Sequence, residues 1–121
     1  MKTGKRDIEE RTFAFALGIV KLCRQMDKSS GSLRALSLQL LRAGTSVGAN
    51  VEEAQAGQSR ADFIGKYSIA LKEAREAHCW LRLIRETESV LPLEVDALSK
   101  EAEELGRILG AIVSRAKQAS V

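Results

Sequence analysis

Leu33-Arg34-Ala35-Leu36-Ser37-Leu38-Gln39-Leu40-Leu41-Arg42-Ala43-Gly44-Thr45-Ser46-Val47-Gly48-Ala49-Asn50-Val51-Glu52-Glu53-Ala54 is the stretch whose reading decides the fold. Leu33, Leu36, Leu40, Ala43, Val47, Asn50 and Ala54 recur at alternating spacings of three and four. That period puts them on one stripe of an α-helix, and a strand would need a period of two. The helix is expected over about residues 32–56. Gly44 and Gly48 fall inside it, each costing up to ~1 kcal/mol of helix propensity relative to alanine. Four residues apart, they share a face. Either a neighbouring helix approaches closely there, or the helix breaks.

Three breaks bound the rest of the chain: Ser29-Ser30-Gly31-Ser32, Gly57-Gln58-Ser59 and Ser89-Val90-Leu91-Pro92. They leave four helical segments, over about 8–28, 32–56, 60–88 and 93–118. Asp7 and Glu10 have capping-box spacing and are expected to open the first helix. Two heptad-spaced stripes follow, Phe13, Ala16, Val20, Cys23 and Phe15, Ile19, Leu22, Met26. Ser59, three residues before Asp62, caps the third helix. Its seam is Phe63, Tyr67, Ala70, Ala74, Ala77, Leu81 and Ile84. Pro92 suits the first turn of the fourth. Its seam is Val95, Leu98, Ala102, Leu105, Leu109, Ile112 and Ala116. Four amphipathic helices joined by short turns imply an all-α, antiparallel up-and-down four-helix bundle in a single domain over 1–121.

Composition agrees. A chain of 121 residues buries roughly 65% of its unfolded surface, enough for one core. Hydrophobic residues at 45% and charged residues at 29% argue against both disorder and a membrane protein. No run approaches the ~20 apolar residues of a membrane span. The charged start, Met1 to Arg11, leads into no signal-type apolar segment, so a cytoplasmic protein is expected. Cys23 and Cys79 lack CxxC spacing and read as two small buried thiols. The formal net charge is +3, and the first thirty residues carry all of that surplus.

The third helix has more apolar surface than its seam needs. At about 100° per residue, Ile69, Trp80 and Leu83 fall on one side of it, and Ile64 and Leu71 on the other. A second subunit is the simplest cover, which makes these five residues the expected homo-oligomer interface. A broad core face with one or two exposed apolar residues is the plainer alternative.

Nothing in the sequence points to catalysis, a cofactor or a metal. His78 is the one histidine. The residue three before it is Arg75, so the Glu-x-x-His pattern of di-iron bundles is absent. No phosphate loop, GxGxxG or GxSxG occurs. His78 and Cys79 are adjacent on a helix and point about 100° apart, too far for a catalytic pair. Glu52, Glu53, Glu73 and Glu76 are the clustered carboxylates, and Lys72 is spaced to pair with Glu76.

Two polar groupings remain. Arg42, Ser46, Asn50 and Glu53 border the apolar seam of the second helix. They read either as a buried network that fixes helix register or as a ligand site. On the first reading, truncating Asn50 would cost about 1–3 kcal/mol. Lys2, Lys5, Arg6 and Arg11 near the N-terminus, with Arg75 and Arg82 on one face of the third helix, are the candidate phosphate contacts.

Leu40 to Ala54 also carries a resemblance. Arg42-Ala43-Gly44-Thr45-Ser46-Val47-Gly48-Ala49-Asn50-Val51-Glu52-Glu53 resembles the R-A-x-x-S-[IV]-x-A-N-[IV]-x-E signature of the four-helix bundle proteins encoded in 23S rRNA intervening sequences. Ser59-Arg60, Asp62-Phe63, Ile69-Ala70, Glu73 and Glu76 continue it, over roughly Phe13 to Ala116. The resemblance implies an antiparallel bundle, a pentameric ring and a poorly defined role; the first expectation for function is a non-catalytic ring that binds structured RNA such as ribosomal RNA, and the second an accessory subunit of a reverse transcriptase. Trp80-Leu81-Arg82-Leu83 and Gly106-Arg107-Ile108-Leu109-Gly110 resemble the accessory proteins of diversity-generating retroelements. Those are strongly basic bundles that bind nucleic acid and a reverse transcriptase, and this chain is only mildly basic. A protein-interaction scaffold with no nucleic-acid partner is the third expectation.

Overall fold

A computed structural model of the protein describes residues 4–88 and 93–119. Its elements are α1 (Gly4–Gln25), α2 (Gly31–Gln55), α3 (Arg60–Thr87) and α4 (Glu94–Ala119). Around the bundle they run α1, α2, α3, α4, each packed on its sequence neighbours, with a thinner seam closing α1 onto α4. Cross-helix contacts set the direction. Gly48 meets Thr12 and Gly44 meets Ile19, whereas Cys23 reaches Ser37, so α2 runs antiparallel to α1. Lys66 with Glu53 and Arg42 with Glu73 do the same for α2 and α3.

The ends follow local chemistry, with one correction. α1 begins at Gly4, so Asp7 lies within its first turn and does not cap it. There its charge still faces the positive end of the helix dipole. Ser59 is the cap expected, its hydroxyl accepting from the Asp62 amide at 3.0 Å. Gly31 opens α2 at φ 64°, a left-handed conformation that costs a side chain 1–2 kcal/mol or so. Lys2 and Pro92, and the side chains of Lys5 and Arg6, lie outside the described residues.

α2 is unbroken through Gly44 and Gly48. A Cβ on Gly44 would stand 2.8 Å from both γ-carbons of Ile19, and one on Gly48 would stand 3.2 Å from the Thr12 carbonyl oxygen. The glycines are what lets α1 lie against α2.

The core is aliphatic: Ile19, Leu22, Leu40, Val47, Val51, Leu81, Ile84, Leu105 and Leu109 are fully buried. Phe15 and Tyr67 are its large aromatics, and Tyr67 is the one that carries a polar group. The ring lies 4.5 Å from that of Phe63, and its hydroxyl accepts from Gln55 Nε2 at 2.6 Å. The Trp80 indole N–H is the one buried side-chain donor without an acceptor among the described residues. Of the two stripes expected on α1, the second is core, and the first contributes only Cys23 to it. Phe15, Ile19, Leu22 and Met26 are buried with Ile8 and Thr12, while Phe13 is 60% exposed. A corner helix in a square bundle inserts one stripe, so the second wraps round to the outside. Cys23 is buried and Cys79 half-buried, both free thiols.

Candidate nucleic-acid interface

α3 and α4 lie antiparallel, so Arg75 near the middle of α3 comes level with the middle of α4. A groove of about 560 Å³ opens outward between them, lined by Arg75 and His78 from α3 and by Ala102, Glu103, Gly106, Arg107 and Gly110 from α4. The floor is low because two of its residues have no side chain. A Cβ on Gly106 would meet nothing within 4 Å. Arg75, Arg82 and Arg107 are exposed. Arg75 and Arg82 are two turns apart, about 10.5 Å along the axis. Glu103 is the groove's one acid. Its contact with Arg107, at 3.8 Å between well-exposed groups, ties up little of the positive charge.

His78 reports the field in this groove. Burial, then the nearby positive charge of Arg82, lowers its pKa from 6.5; Glu103 pulls the other way. Folding therefore favours the neutral ring. As pH falls through the ordinary histidine value, the unfolded chain takes up the proton first and stability declines. Because the chain has one histidine, its imidazole resonances can be followed by NMR without assignment. They should titrate below the ordinary range. Arg82→Gln should recover part of the difference, leaving the part due to burial.

Arg11, another of the expected phosphate contacts, does not share this groove. Arg11 faces α4, where it donates to Glu101 at 2.7 and 3.1 Å and to Glu104 at 3.0 Å. Those carboxylates raise its pKa and occupy its donors. Arg11 holds α1 to α4 and is not a free cation. Phe63, Tyr67, Ile108 and Ile112 line a second concavity, of about 400 Å³, with Arg11 and Arg115 at its edge.

The polar stripe on α2 also departs from the single network expected. Arg42 reaches across to α3, donating to Glu73 at 3.1 and 3.3 Å and to Glu76 at 2.6 Å. Glu53 pairs with Lys66 at 2.8 Å. Asn50 is half-buried and donates to the Ser46 carbonyl at 2.9 Å, within its own helix. The stripe is thus three α2–α3 ion pairs, two of them made by Arg42, with a back-bonded asparagine between Arg42 and Glu53. The arginine that borders the seam needs acceptors, and the nearest lie on α3. Glu76 pairs with Arg42, not with Lys72 as its spacing suggested. Such an i−4 back-bond contributes little to a helix. Asn50→Ala should therefore change stability by no more than about 0.5 kcal/mol in thermal or urea unfolding, not the larger cost of a broken buried network.

Of the five apolar residues assigned to a subunit contact, Ile64, Leu71 and Trp80 are half-buried within the chain, and Leu71 and Trp80 pack on the core. Ile69 and Leu83 are 43% and 41% exposed. The larger exposed apolar side chains are Phe13 and Leu17 on α1, Leu38 on α2, and Leu93 before α4. Sequence reasoning also missed Arg107 as a partner of Arg75. The four-residue spacing of Gly106 and Gly110 was the available signal, but only the α3–α4 register puts them opposite Arg75.

Among the described residues no helix is long and apolar enough to cross a membrane. No group of three or more His, Cys, Asp or Glu is placed to hold a metal ion.

Residues 5–111 match the model of a family described as 23S rRNA-intervening sequence protein. No curated protein matches the chain. Among solved structures, it is similar to a protein of unknown function from the S23 ribosomal protein family of Bacteroides thetaiotaomicron. The two are 36% identical with a TM-score of 0.80, over 91% of this chain and 97% of that one.

Proposed function

The chain belongs to the 23S rRNA-intervening sequence protein family, and from that premise we propose that it is a non-catalytic cytoplasmic protein that self-assembles and binds the phosphate backbone of structured RNA. The observation that carries this reading is the α3–α4 groove. Arg75, Arg107 and His78 converge on an open floor with one acid among them, and Arg82 extends the basic line along α3. Donors on two rigid helices suit a regularly spaced phosphate backbone without reading bases. Assembly amplifies the effect. Each chain carries +3, so a ring of five, the assembly the family resemblance implies, would carry about +15 and a potential no single subunit has.

The test is a titration of labelled structured RNA at several salt concentrations. Affinity should fall with a log–log slope of roughly −0.7 to −0.9 per phosphate neutralised. Arg75→Glu and Arg107→Glu should each weaken binding at least tenfold at low salt and flatten the slope. Absence of binding at low salt would overturn the RNA reading and leave a protein-interaction scaffold. Binding indifferent to salt and to both substitutions would place the contact on another surface.

A further inference from the structure

His78 stands in a row of cations. On α3 it follows Arg75 by three residues and precedes Arg82 by four, the spacings that make neighbours on one helix face. At 1.5 Å of rise per residue it lies about 4.5 Å along the axis from Arg75 and about 6 Å from Arg82. The half-buried ring lines the α3–α4 groove with Arg75 and Arg107, and Arg82 is exposed beyond it. A phosphate backbone that runs along α3 from Arg75 to Arg82 therefore passes over the imidazole. We propose that His78 is a third phosphate ligand of this groove, engaged as the imidazolium, so that binding of an RNA backbone takes up one proton and strengthens as pH falls. This rests on the RNA reading of the groove and names how that site is regulated.

The charges around the ring set the sign. Arg75, Arg82 and Arg85 flank it on its own helix, and Glu103 and Arg107 face it from α4. Arg85 is engaged with Glu86 at 3.3 Å and Asp96 at 3.8 Å, and Glu103 with Arg107 at 3.8 Å. α2 packs on the other flank of α3, where Arg42 holds Glu73 and Glu76. Without RNA, burial and then Arg82 favour the neutral ring, against Glu103. A phosphate reverses that balance. It offsets the field of Arg82 and adds an anion within reach of the ring. Both nitrogens of an imidazolium donate, and a phosphodiester oxygen accepts. The proton comes from solvent and goes onto the unprotonated ring nitrogen, while the phosphodiester stays ionised. Covering the groove also desolvates the ring, which acts in the opposite direction, so the sign of the measured shift is decisive.

Binding and protonation are reciprocal. Each unit by which the bound backbone raises the histidine pKa makes affinity about tenfold higher for the protonated ring. The gain begins as pH falls through the bound value and is complete below the free one. Arg75, Arg82 and Arg107 keep their charge throughout, so binding persists at alkaline pH and is weaker there.

An RNA hairpin is titrated against the full chain, His78→Gln and His78→Lys at pH 8 and pH 5.5, at one low salt concentration. Helical content is checked at each pH. Affinity of the parent should rise about tenfold on acidification, and that of His78→Gln by less than about twofold. The variant also controls for protonation of the RNA's own bases. His78→Lys carries a fixed charge and should bind at pH 8 about as the parent does at pH 5.5. In an NMR titration of the parent, the hairpin should move the midpoint of the single histidine upward. That shift decides the matter alone if a variant loses helicity. Equal pH dependence in the parent and His78→Gln, or a histidine midpoint that stays or falls when RNA binds, would overturn the proposal and leave the groove as an RNA site. Absence of binding at both pH values would remove both readings.

Discussion

Tyr67→Ala should destabilise the bundle by about 3–5 kcal/mol, the cost of removing a large buried aromatic whose site cannot collapse. Tyr67 is 1% exposed, and its ring packs against Phe63 and the core. Against a typical net stability of 5–15 kcal/mol for a domain, the loss should show as a large drop in urea midpoint. Tyr67→Phe separates packing from the hydroxyl. It removes only the bond from Gln55 and should cost about 0.5–1.5 kcal/mol. The phenol also sets an alkaline limit. Burial raises its pKa from 10.0, so the folded chain holds the proton more tightly than the unfolded one. Stability from this group is full below the unfolded value and is lost as pH rises through the folded one. The parent protein should weaken above pH 10, and Tyr67→Phe should lack that component. An equal alkaline loss in both would show that another group sets the limit.

Gly44→Ala should destabilise by about 1–3 kcal/mol, although alanine is the better helix former, because the added methyl overpacks a close helix contact. The new Cβ would stand 2.8 Å from two carbons of Ile19, a β-branched side chain with little rotamer freedom. The sign should reverse in an Ile19→Ala background, where both γ-carbons are gone. There Gly44→Ala should stabilise by up to about 1 kcal/mol, the propensity term alone. A destabilising effect in both backgrounds would mean that the α1–α2 approach does not explain the glycine.

These two sites also show what the sequence could and could not specify. The spacing of Leu40, Val47 and Tyr67 marked the core because period and burial are local properties of a helix. The glycine pair left two outcomes open, since only the partner α1 decides between close approach and a break. Phe13 read as core because its stripe is as apolar as that of Phe15. Which stripe turns inward depends on how α1 sits between α2 and α4, which no single-helix pattern encodes. Arg11 and Arg75 are equal as letters. Glu101 and Glu104 neutralise the first, while the second lines the groove with only Glu103 for an acid. That difference depends on which helices are neighbours and in what register. For the same reason Arg42 found its carboxylates on α3 and not on its own helix.

The central claim is that this bundle works as an assembled unit, and mass in solution tests it most directly. Light scattering behind size exclusion, at micromolar concentration and moderate salt, should give a single species of several 13.2 kDa chains, near five if the proposed ring forms. That mass should persist when structured RNA is added, with the RNA's own mass on top. A species at the mass of one chain, unchanged by concentration, would contradict the account.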